Sequence, residues 1–307
     1  MPVAQAAYAG DATCATCHND LFSSYKRSGM GQSVSLFDPE TAPEQFDNAR
    51  VYDPKRDLHY EPFVRGDTLY QREFRLDASG ETVYERTHAV KWVIGSGHAT
   101  RSYLMTSNGH VTEMPLTWYV EREIWDLSPG YTQINQRFSR PTNQACITCH
   151  NALPDYSEFT EAHYDAMPTG ISCERCHGPA SEHVEAHLEG LAASDPGIGV
   201  VNPHDLDRGR QLAVCQQCHL AGTTVWMEGE GPDTFRPGQK LSDNRVVYAS
   251  REQIEDPQSF GIASHAERLS RSACFDQTQM TCTTCHDPAT PRPISPFPRT
   301  RPSPRPN

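Results

Sequence analysis

Ten of the eleven cysteines in this 307-residue sequence form pairs with two intervening residues, and a histidine directly follows each pair. A chain of this composition would contain about 0.02 such pentapeptides by chance, so five copies are not accidental. The copies are motif one (Cys14, Cys17, His18), motif two (Cys146, Cys149, His150), motif three (Cys173, Cys176, His177), motif four (Cys215, Cys218, His219) and motif five (Cys282, Cys285, His286).

Two thiols at this spacing reach the two vinyl groups on one edge of a porphyrin and form thioethers, and the next histidine binds the iron as proximal ligand. A thioredoxin-like redox pair needs neither five copies nor an adjacent histidine. Zinc ribbons combine C-x-x-C units two by two, which an odd number of units does not allow. The sequence therefore predicts five haem c groups, and hence electron transfer. Cys274 stands outside the motifs, and a single buried thiol is its default interpretation.

Each iron also has a sixth coordination position, and the nine histidines outside the motifs exceed that demand. His183 is a candidate because Ser181 is a typical N-cap residue for a predicted helix over residues 182–191, which would hold the imidazole rigidly. His187 lies one helical turn further on the same face and is the alternative to His183.

Three other side chains are candidates from their local context. His265 opens a predicted helical stretch ahead of motif five, and His98 follows the small residues 95–97, which would let the backbone approach a porphyrin. Met30 lies between two glycines, twelve residues after His18. A thioether ligand raises the haem potential, so Met30 predicts one haem that titrates well above the others.

The net charge of −12 excludes nucleic acid as a partner and favours basic docking surfaces on other redox proteins. No apolar run is long enough for a transmembrane helix. Haem attachment to these motifs takes place outside the cytoplasm, which predicts a periplasmic or extracellular protein. Residues 3–6 resemble the end of a cleaved export signal, and we expect the rest of that signal to be missing from this sequence.

The motif positions and the residue patterns predict a mixed, loop-rich, haem-dominated fold in four parts. Residues 1–49 carry motif one alone, and residues 50–140 form a β-rich insertion whose alternating stretches predict an antiparallel meander over 50–122. The meander includes a hairpin around residues 107–109, and a scaffold role or a docking role is open for it. Residues 141–287 read as short helices and loops around four haems. The tail, 288–307, is rich in proline and arginine and resembles a polyproline linker.

Nine segments in order resemble periplasmic multihaem cytochromes that are often fused to tetratricopeptide repeats, distant relatives of the nitrifiers' tetrahaem electron carrier. The resemblance covers residues 8–288 and rests on SYKRSGMGQS, VIGSGHATRSYL, MPLTWY, WDLSPGY, FSRPTNQACITCHNALP, GISCERCHGPASEHV, VNPHDL, VCQQCH and SACFDQTQMTCTTCHDP.

The resemblance implies an electron-transfer role and also concerns the distal ligands. It gives His98, His183 and His265 as distal ligands, and Met30 stands where the group often has a histidine. Ala289 replaces the histidine expected after motif five. The resemblance offers no position for a fifth distal ligand, for which His163 is the remaining candidate.

Three functions are open at this point. The first is an electron carrier or relay without catalytic residues. The second is an enzyme that acts on a small nitrogen or sulfur oxyanion or a peroxide at a five-coordinate haem. The third is the repeating unit of a conductive filament, or a subunit of a larger redox complex, with like subunits as partners. The sequence has no hydrolytic triad, phosphate-binding glycine loop or dinucleotide fingerprint.

Overall fold

The structure is a computed structural model and describes residues 7–157, 160–191, 194–195, 197–256, 261 and 263–290. It is a mixed fold of short helices and antiparallel sheets. The strands are β1 (Val34–Ser35), β2 (Val51–Asp53), β3 (Leu58–Arg65), β4 (Thr68–Leu76), β5 (Thr82–Ala89), β6 (Trp92–Ile94), β7 (Thr100–Ser107), β8 (His110–Tyr119), β9 (Ile124–Leu127), β10 (Arg140–Pro141), β11 (Asp155–Tyr156), β12 (Tyr164–Ala166), β13 (Thr223–Trp226) and β14 (Arg245–Tyr248). The helices are α1 (Asp11–Cys17), α2 (Asn19–Tyr25), α3 (Gln144–Thr148), α4 (Glu174–His177), α5 (Ser181–Leu188), α6 (Arg208–Gln216), α7 (Leu241–Asn244), α8 (Arg251–Glu255), α9 (His265–Ser270) and α10 (Ala273–Gln277).

The alternating stretches of residues 50–122 form strands, and these strands are divided between two sheets. The first sheet has the order β2-β3-β4-β5. The second has the order β1-β6-β7-β8-β10, with β9 also paired to β8. The short strands β1 and β10 come from outside the predicted meander, and they pair with β6 and β8.

The predicted hairpin around residues 107–109 is confirmed. Ser107 pairs with His110 across the turn between β7 and β8. Asn108 and Gly109 both have positive φ, at 50° and 78°. Two consecutive positive φ angles are the requirement of a type I′ turn, which the Asn-Gly pair meets.

The two sheets enclose the main hydrophobic core. Alternate residues of β3 and β4 are buried there with aromatic side chains of β7, β8 and β9, among them Tyr103, Trp118 and Trp125. The buried amide of Gln71 in β4 links the sheets, since it donates to the carbonyl of Leu116 and accepts from the Leu116 amide, both at 3.0 Å. A polar side chain is stable in this core because both of its amide groups are bonded.

A second, smaller core connects the sheets to the motif region. It contains Leu104 of β7, Val111 of β8 and Ile147, which lies inside motif two. Beyond it, helices α3–α10 and the two-stranded pairs β11–β12 and β13–β14 make up the described part of residues 141–290. The predicted short helices are present, whereas the two strand pairs were not predicted.

Two elements differ from expectation. Helix α5 begins at Ser181, and its N-cap is Ala180 without a side-chain cap bond. The predicted cap role of Ser181 is wrong because its hydroxyl accepts from the amide of Ala7, at 2.9 Å. Cys274 is exposed in α10, so the predicted buried thiol is also wrong.

Within the described ranges, no helix is both long and apolar enough to cross a membrane. The signal-like residues 3–6 and the arginines of the proline-rich tail (Arg292, Arg299, Arg301 and Arg305) lie outside the described residues.

Candidate haem sites

Each motif contains a single turn that brings its histidine back towards its first cysteine. In motifs one, three, four and five, the histidine amide donates to the carbonyl of the first cysteine, at 2.9–3.0 Å. In motif two the turn is tighter, and the His150 amide donates to the Ile147 carbonyl at 2.8 Å. Residues three and four apart share a face of a helical turn, so both thiols and the imidazole of a motif lie on one side. None of the eleven cysteines, all of them in the described ranges, is in a disulfide.

Motif one packs directly on motif three. A hydrogen bond between the thiols of Cys14 and Cys173 lowers the pKa of Cys14. The Cys173 amide donates to Asp11, at 3.0 Å. The carboxylate of Glu174 accepts from the amides of Ala9 and Gly10, at 2.8 and 2.9 Å. A carboxylate inside motif three therefore anchors the backbone that leads into motif one.

Motif four contacts three other motifs. A hydrogen bond from Cys149 of motif two lowers the pKa of Cys218, and one from Cys215 lowers the pKa of Cys282 in motif five. Gln217, inside motif four, donates to the carbonyl of Arg175 in motif three, at 2.9 Å. The five motifs thus form one connected and branched set. Motif three, whose Arg175 reaches the Thr148 carbonyl of motif two at 3.4 Å, and motif four each contact three other motifs.

Two histidines have ring nitrogens held by backbone carbonyls. Nδ1 of His177 lies 2.9 Å from the carbonyl of Val201, and Nδ1 of His183 lies 3.0 Å from that of Ile198. A carbonyl can only accept, so Nδ1 carries the proton and Nε2 keeps its lone pair. This second bond is the usual support of a metal-binding imidazole, and these residues fit a haem iron.

The ring centroids of His18 and His183 lie 6.4 Å apart, and the ring planes are inclined by 21°. Two imidazoles on opposite sides of one metal ion have centroids about 6 Å apart, because each metal–nitrogen bond is about 2.0 Å. The spacing therefore suits one iron between them. His187 contacts the ring of His183 edge-on, at 4.4 Å.

His265 lies next to motif four, as the first residue of α9. Its ring contacts that of His219, with centroids 4.7 Å apart, and the Ala266 amide donates to the His219 carbonyl at 3.1 Å. Burial, together with the positive charge of His265 and other nearby histidines, lowers the pKa of His219 to about 4. His219 is therefore neutral near pH 7, which is the form that binds a metal.

Met30 and His98 lie on two loops that touch near motif three. A Cβ placed on Gly29 would lie 3.6 Å from Nε2 of His98. The Met30 carbonyl accepts from the Ile171 amide, at 3.0 Å. The backbone at Gly170 also lies close to the backbone at Gly31. A Cβ on Gly170, whose φ is +69°, would lie 2.2 Å from the Gly31 carbonyl oxygen. Glycine at position 170 is therefore a packing requirement.

His163 lies apart from the motif histidines, beside the β7–β8 hairpin. Its Nδ1 is 2.8 Å from the hydroxyl of Ser157, and its ring packs edge-on against His110. A Cβ on Gly109 would lie 2.3 Å from Nε2 of His163, so backbone covers that nitrogen. Both nitrogens of His163 face protein groups.

Sequence reasoning passed over Arg175 and Arg245. Both are almost fully buried, at 4% and 6% exposure, between motifs two, three and four. The position of Arg175 inside a C-x-x-C-H motif was the available signal, since the intervening residues of a motif lie next to the cofactor.

Comparison with known proteins gives the class of the chain. The family model described as "Cytochrome c554 and c-prime" matches residues 127–178, which contain motifs two and three. The multiheme cytochrome MtrA of Shewanella baltica (strain OS185) is 24% identical over 156 residues, or 47% of this chain and 45% of that protein. The crystal structure of the outer cell wall cytochrome OcwA covers 84% of this chain and 48% of its own, with 19% identity and a TM-score of 0.49.

These matches, together with the motifs, show that the chain is similar to multihaem c-type cytochromes. The chain spans about half the length of the relatives it matches.

Proposed function

We propose that this chain is a pentahaem electron-transfer protein that passes electrons between redox partners through haems attached at all five motifs. The observation that carries the proposal is the connected set of motif contacts. Asp11, in the helix that carries motif one, accepts from the Cys173 amide of motif three, at 3.0 Å, and Cys149 of motif two donates to the Gln217 carbonyl of motif four, at 3.9 Å. The thiol of Cys215 in motif four lowers the pKa of Cys282 in motif five. Haems attached at neighbouring thiols would have edges close together. The haem iron supplies the one-electron chemistry, and the chain supplies position and axial ligands.

The axial ligands are part of the same proposal. The motif histidines are the proximal ligands, and His183 is the distal ligand opposite His18, because their spacing suits one iron. His265 serves a haem near motif four. Its ring centroid lies 4.7 Å from that of His219, which is shorter than the spacing of about 6 Å that one shared iron requires, so the two histidines bind different irons. Met30 and His98 serve haems near motif three. His163 stays the weakest candidate, since both of its nitrogens face protein groups.

We also propose where and with what the protein works. Haem attachment of this type supports an exported protein, in the periplasm or outside the cell. The net charge of −12 supports docking to basic surfaces of other redox proteins. A filament or complex of like subunits is the alternative assembly, and size-exclusion chromatography with negative-stain imaging distinguishes it from a monomer.

The test begins with the mass of the intact protein, which counts the attached haems. Electron paramagnetic resonance of the oxidised protein then gives the spin state of each iron. We expect five haems, all six-coordinate and low-spin, and complete reduction by a small reductant. Fewer than five attached haems would contradict the proposal.

A multihaem enzyme with one open haem is the second candidate. It is favoured by Ala289, which removes one expected ligand, and by the engaged nitrogens of His163. A high-spin haem that binds cyanide or carbon monoxide in the isolated protein would establish this alternative. If neither cyanide nor carbon monoxide binds, the proposal of an enzyme is contradicted.

A further inference from the structure

Two arginine side chains meet around one glutamine in the interior of the motif region. Arg245 of β14 donates to the Gln217 carbonyl, at 3.0 Å. The Gln217 side chain donates to the Arg175 carbonyl, at 2.9 Å, and Gln217 is itself 5% exposed. Arg175 reaches the carbonyl of Thr148 in motif two, at 3.4 Å. The two guanidinium groups therefore lie where motifs two, three and four come together.

Neither guanidinium group has a counter-ion among the residues that the structure describes. Within the described part of the sequence, no carboxylate forms an ion pair with Arg175 or Arg245. Nε of Arg175 and Nη2 of Arg245 are buried without a hydrogen-bond partner. The remaining contacts of Arg245 are the Asn244 side-chain oxygen, at 2.7 Å, and the face of Trp226, at 4.3 Å. These groups are neutral, so they leave the positive charge uncompensated.

The nearest carboxylates are already engaged. Glu174 precedes Arg175, but its two oxygens accept from the amides of Ala9, Gly10 and Ala180, at 2.8–2.9 Å. Glu230 accepts from the side-chain amide of Asn244, at 2.7 Å. The neighbouring thiols of Cys149 and Cys218 supply no anion after haem attachment, because a thioether is neutral.

Two buried like charges without an anion are strongly unfavourable, and buried charges in proteins are paired as a rule. The planar, multiple N–H donors of arginine suit a carboxylate. The propionates of a haem lie at the edge opposite its thioethers, so a haem attached at a neighbouring motif would bring carboxylates to this junction. We propose that Arg175 and Arg245 bind a haem propionate at the junction of motifs two, three and four. The inference rests on the proposed haem attachment at these motifs.

The experiment compares Arg245→Gln, Arg245→Lys and Arg175→Gln with the wild-type holoprotein. The readouts are the midpoint potentials, from a spectroelectrochemical titration, and the propionate bending bands in resonance Raman spectra. Loss of a positive charge beside a haem favours the oxidised iron. We therefore expect both glutamine variants to shift one midpoint potential to lower values and to move a propionate band. Arg245→Lys keeps the charge, so it should move the band with a smaller change in potential.

Arg208→Gln is the matched control. Arg208 also binds backbone carbonyls, of Met280 and Phe275, and lies over an aromatic ring, but none of its nitrogens is buried without a partner. We expect it to leave the propionate bands unchanged. If Arg245→Gln does not fold, the shift of the propionate bending band is measured in Arg245→Lys instead.

The number of attached haems distinguishes a failure of the proposed function from a failure of the arginine assignment. A wild-type protein with fewer than five haems contradicts the proposed function. Five haems with wild-type propionate bands in all three variants overturn the arginine assignment alone. The potential is also measured with and without added inorganic phosphate. A wild-type potential that depends on phosphate, with the dependence lost in Arg245→Gln, would assign the pair to a free anion and overturn the propionate reading.

Discussion

A histidine ring binds a metal through one nitrogen, and the partner of its other nitrogen decides which one is available. In His183 the Ile198 carbonyl occupies Nδ1, which leaves Nε2 available for the iron that we propose lies between His183 and His18. In His163, by contrast, a hydroxyl and a backbone segment face the two nitrogens. Two histidines that look equivalent in the sequence thus differ in what they present to a metal.

The substitution His183→Met tests the pairing with His18. We expect one haem to change from bis-histidine to histidine–methionine ligation, which raises its midpoint potential. In the near-infrared magnetic circular dichroism spectrum, the charge-transfer band that marks histidine–methionine ligation should gain intensity, since the haem that Met30 serves already contributes to it. His187→Met, one turn further along α5, is the control and should change neither the midpoint potential nor the charge-transfer band. A response from His187→Met with none from His183→Met would reverse the assignment.

The substitution Met30→His tests the thioether ligand. Imidazole replaces sulfur, so the haem with the highest midpoint potential should move to a lower value. The fold should tolerate the change, because Met30 is anchored through its backbone carbonyl to the Ile171 amide. A potentiometric titration checks this. An unchanged highest potential would remove Met30 from the ligand set.

At the scale of elements, Glu174 holds the segment of motif one onto α4. We expect Glu174→Gln to weaken charge-assisted bonds to the amides of Ala9 and Gly10, each contributing roughly 1.5–3 kcal/mol. Proteolysis within residues 7–18 should then become about tenfold faster or more, since 1.4 kcal/mol corresponds to a factor of ten. Mass spectrometry of the fragments measures this. Glu185→Gln, on the exposed face of α5, should leave the rate unchanged, and equal rates in both variants would contradict the anchoring role.

The first sheet contains a buried carboxylate whose charge state controls its stability. Burial raises the pKa of Glu73 in β4, but hydrogen bonds from Arg137 and Tyr60 outweigh this effect and lower the pKa overall. Both Glu73 oxygens accept from Nε of Arg137, at 2.9 Å. A depressed pKa in the folded state stabilises the sheet above the unfolded pKa of about 4.3, and the contribution is lost as the pH falls through the folded value.

Hydrogen exchange of the amides in β4 and β5 measures this contribution. We expect protection, corrected for the intrinsic pH dependence of exchange, to be constant near neutral pH and to decrease in acid. Glu73→Gln should reduce protection near neutral pH by on the order of 3 kcal/mol, because it leaves Arg137 without its anion. Protection that increases in acid, or a variant with wild-type protection, would contradict this interpretation.

Local signals in the sequence were sufficient for local structure. The Asn-Gly pair predicted the β7–β8 turn because its backbone angles are restricted. The spacing within each motif predicted that the two thiols and the histidine point towards the same cofactor. Long-range contacts were not predictable in the same way. Ser181 has the residue type of a cap, but the distant Ala7 amide occupies its hydroxyl. The pairing of β1 with β6 and the contact of Arg245 with Gln217 likewise depend on the packing of the whole chain.

At the scale of the whole molecule, the motifs are unequal in their connections. Motif four contacts motifs two, three and five, whereas the contacts described above join motif one to motif three alone. Haems attached at such a branched set would fill the interior of a region that has short helices and few buried apolar residues of its own. Each haem then contributes to folding in proportion to the number of neighbours that pack on it.

Because the motifs differ in the number of other motifs they contact, the loss of different haems should affect folding to different extents. The double variant Cys215→Ala/Cys218→Ala should reduce the yield of folded, monodisperse protein more severely than Cys14→Ala/Cys17→Ala, because motif four contacts three other motifs whereas motif one contacts motif three alone. Size-exclusion chromatography monitored at the Soret band measures the yield, and intact mass confirms four haems in each variant. Cys274→Ala is the control, since that exposed thiol belongs to no motif and its removal should leave the yield unchanged. A motif-four variant with the wild-type yield of folded protein would show that the haem at motif four does not organise the fold.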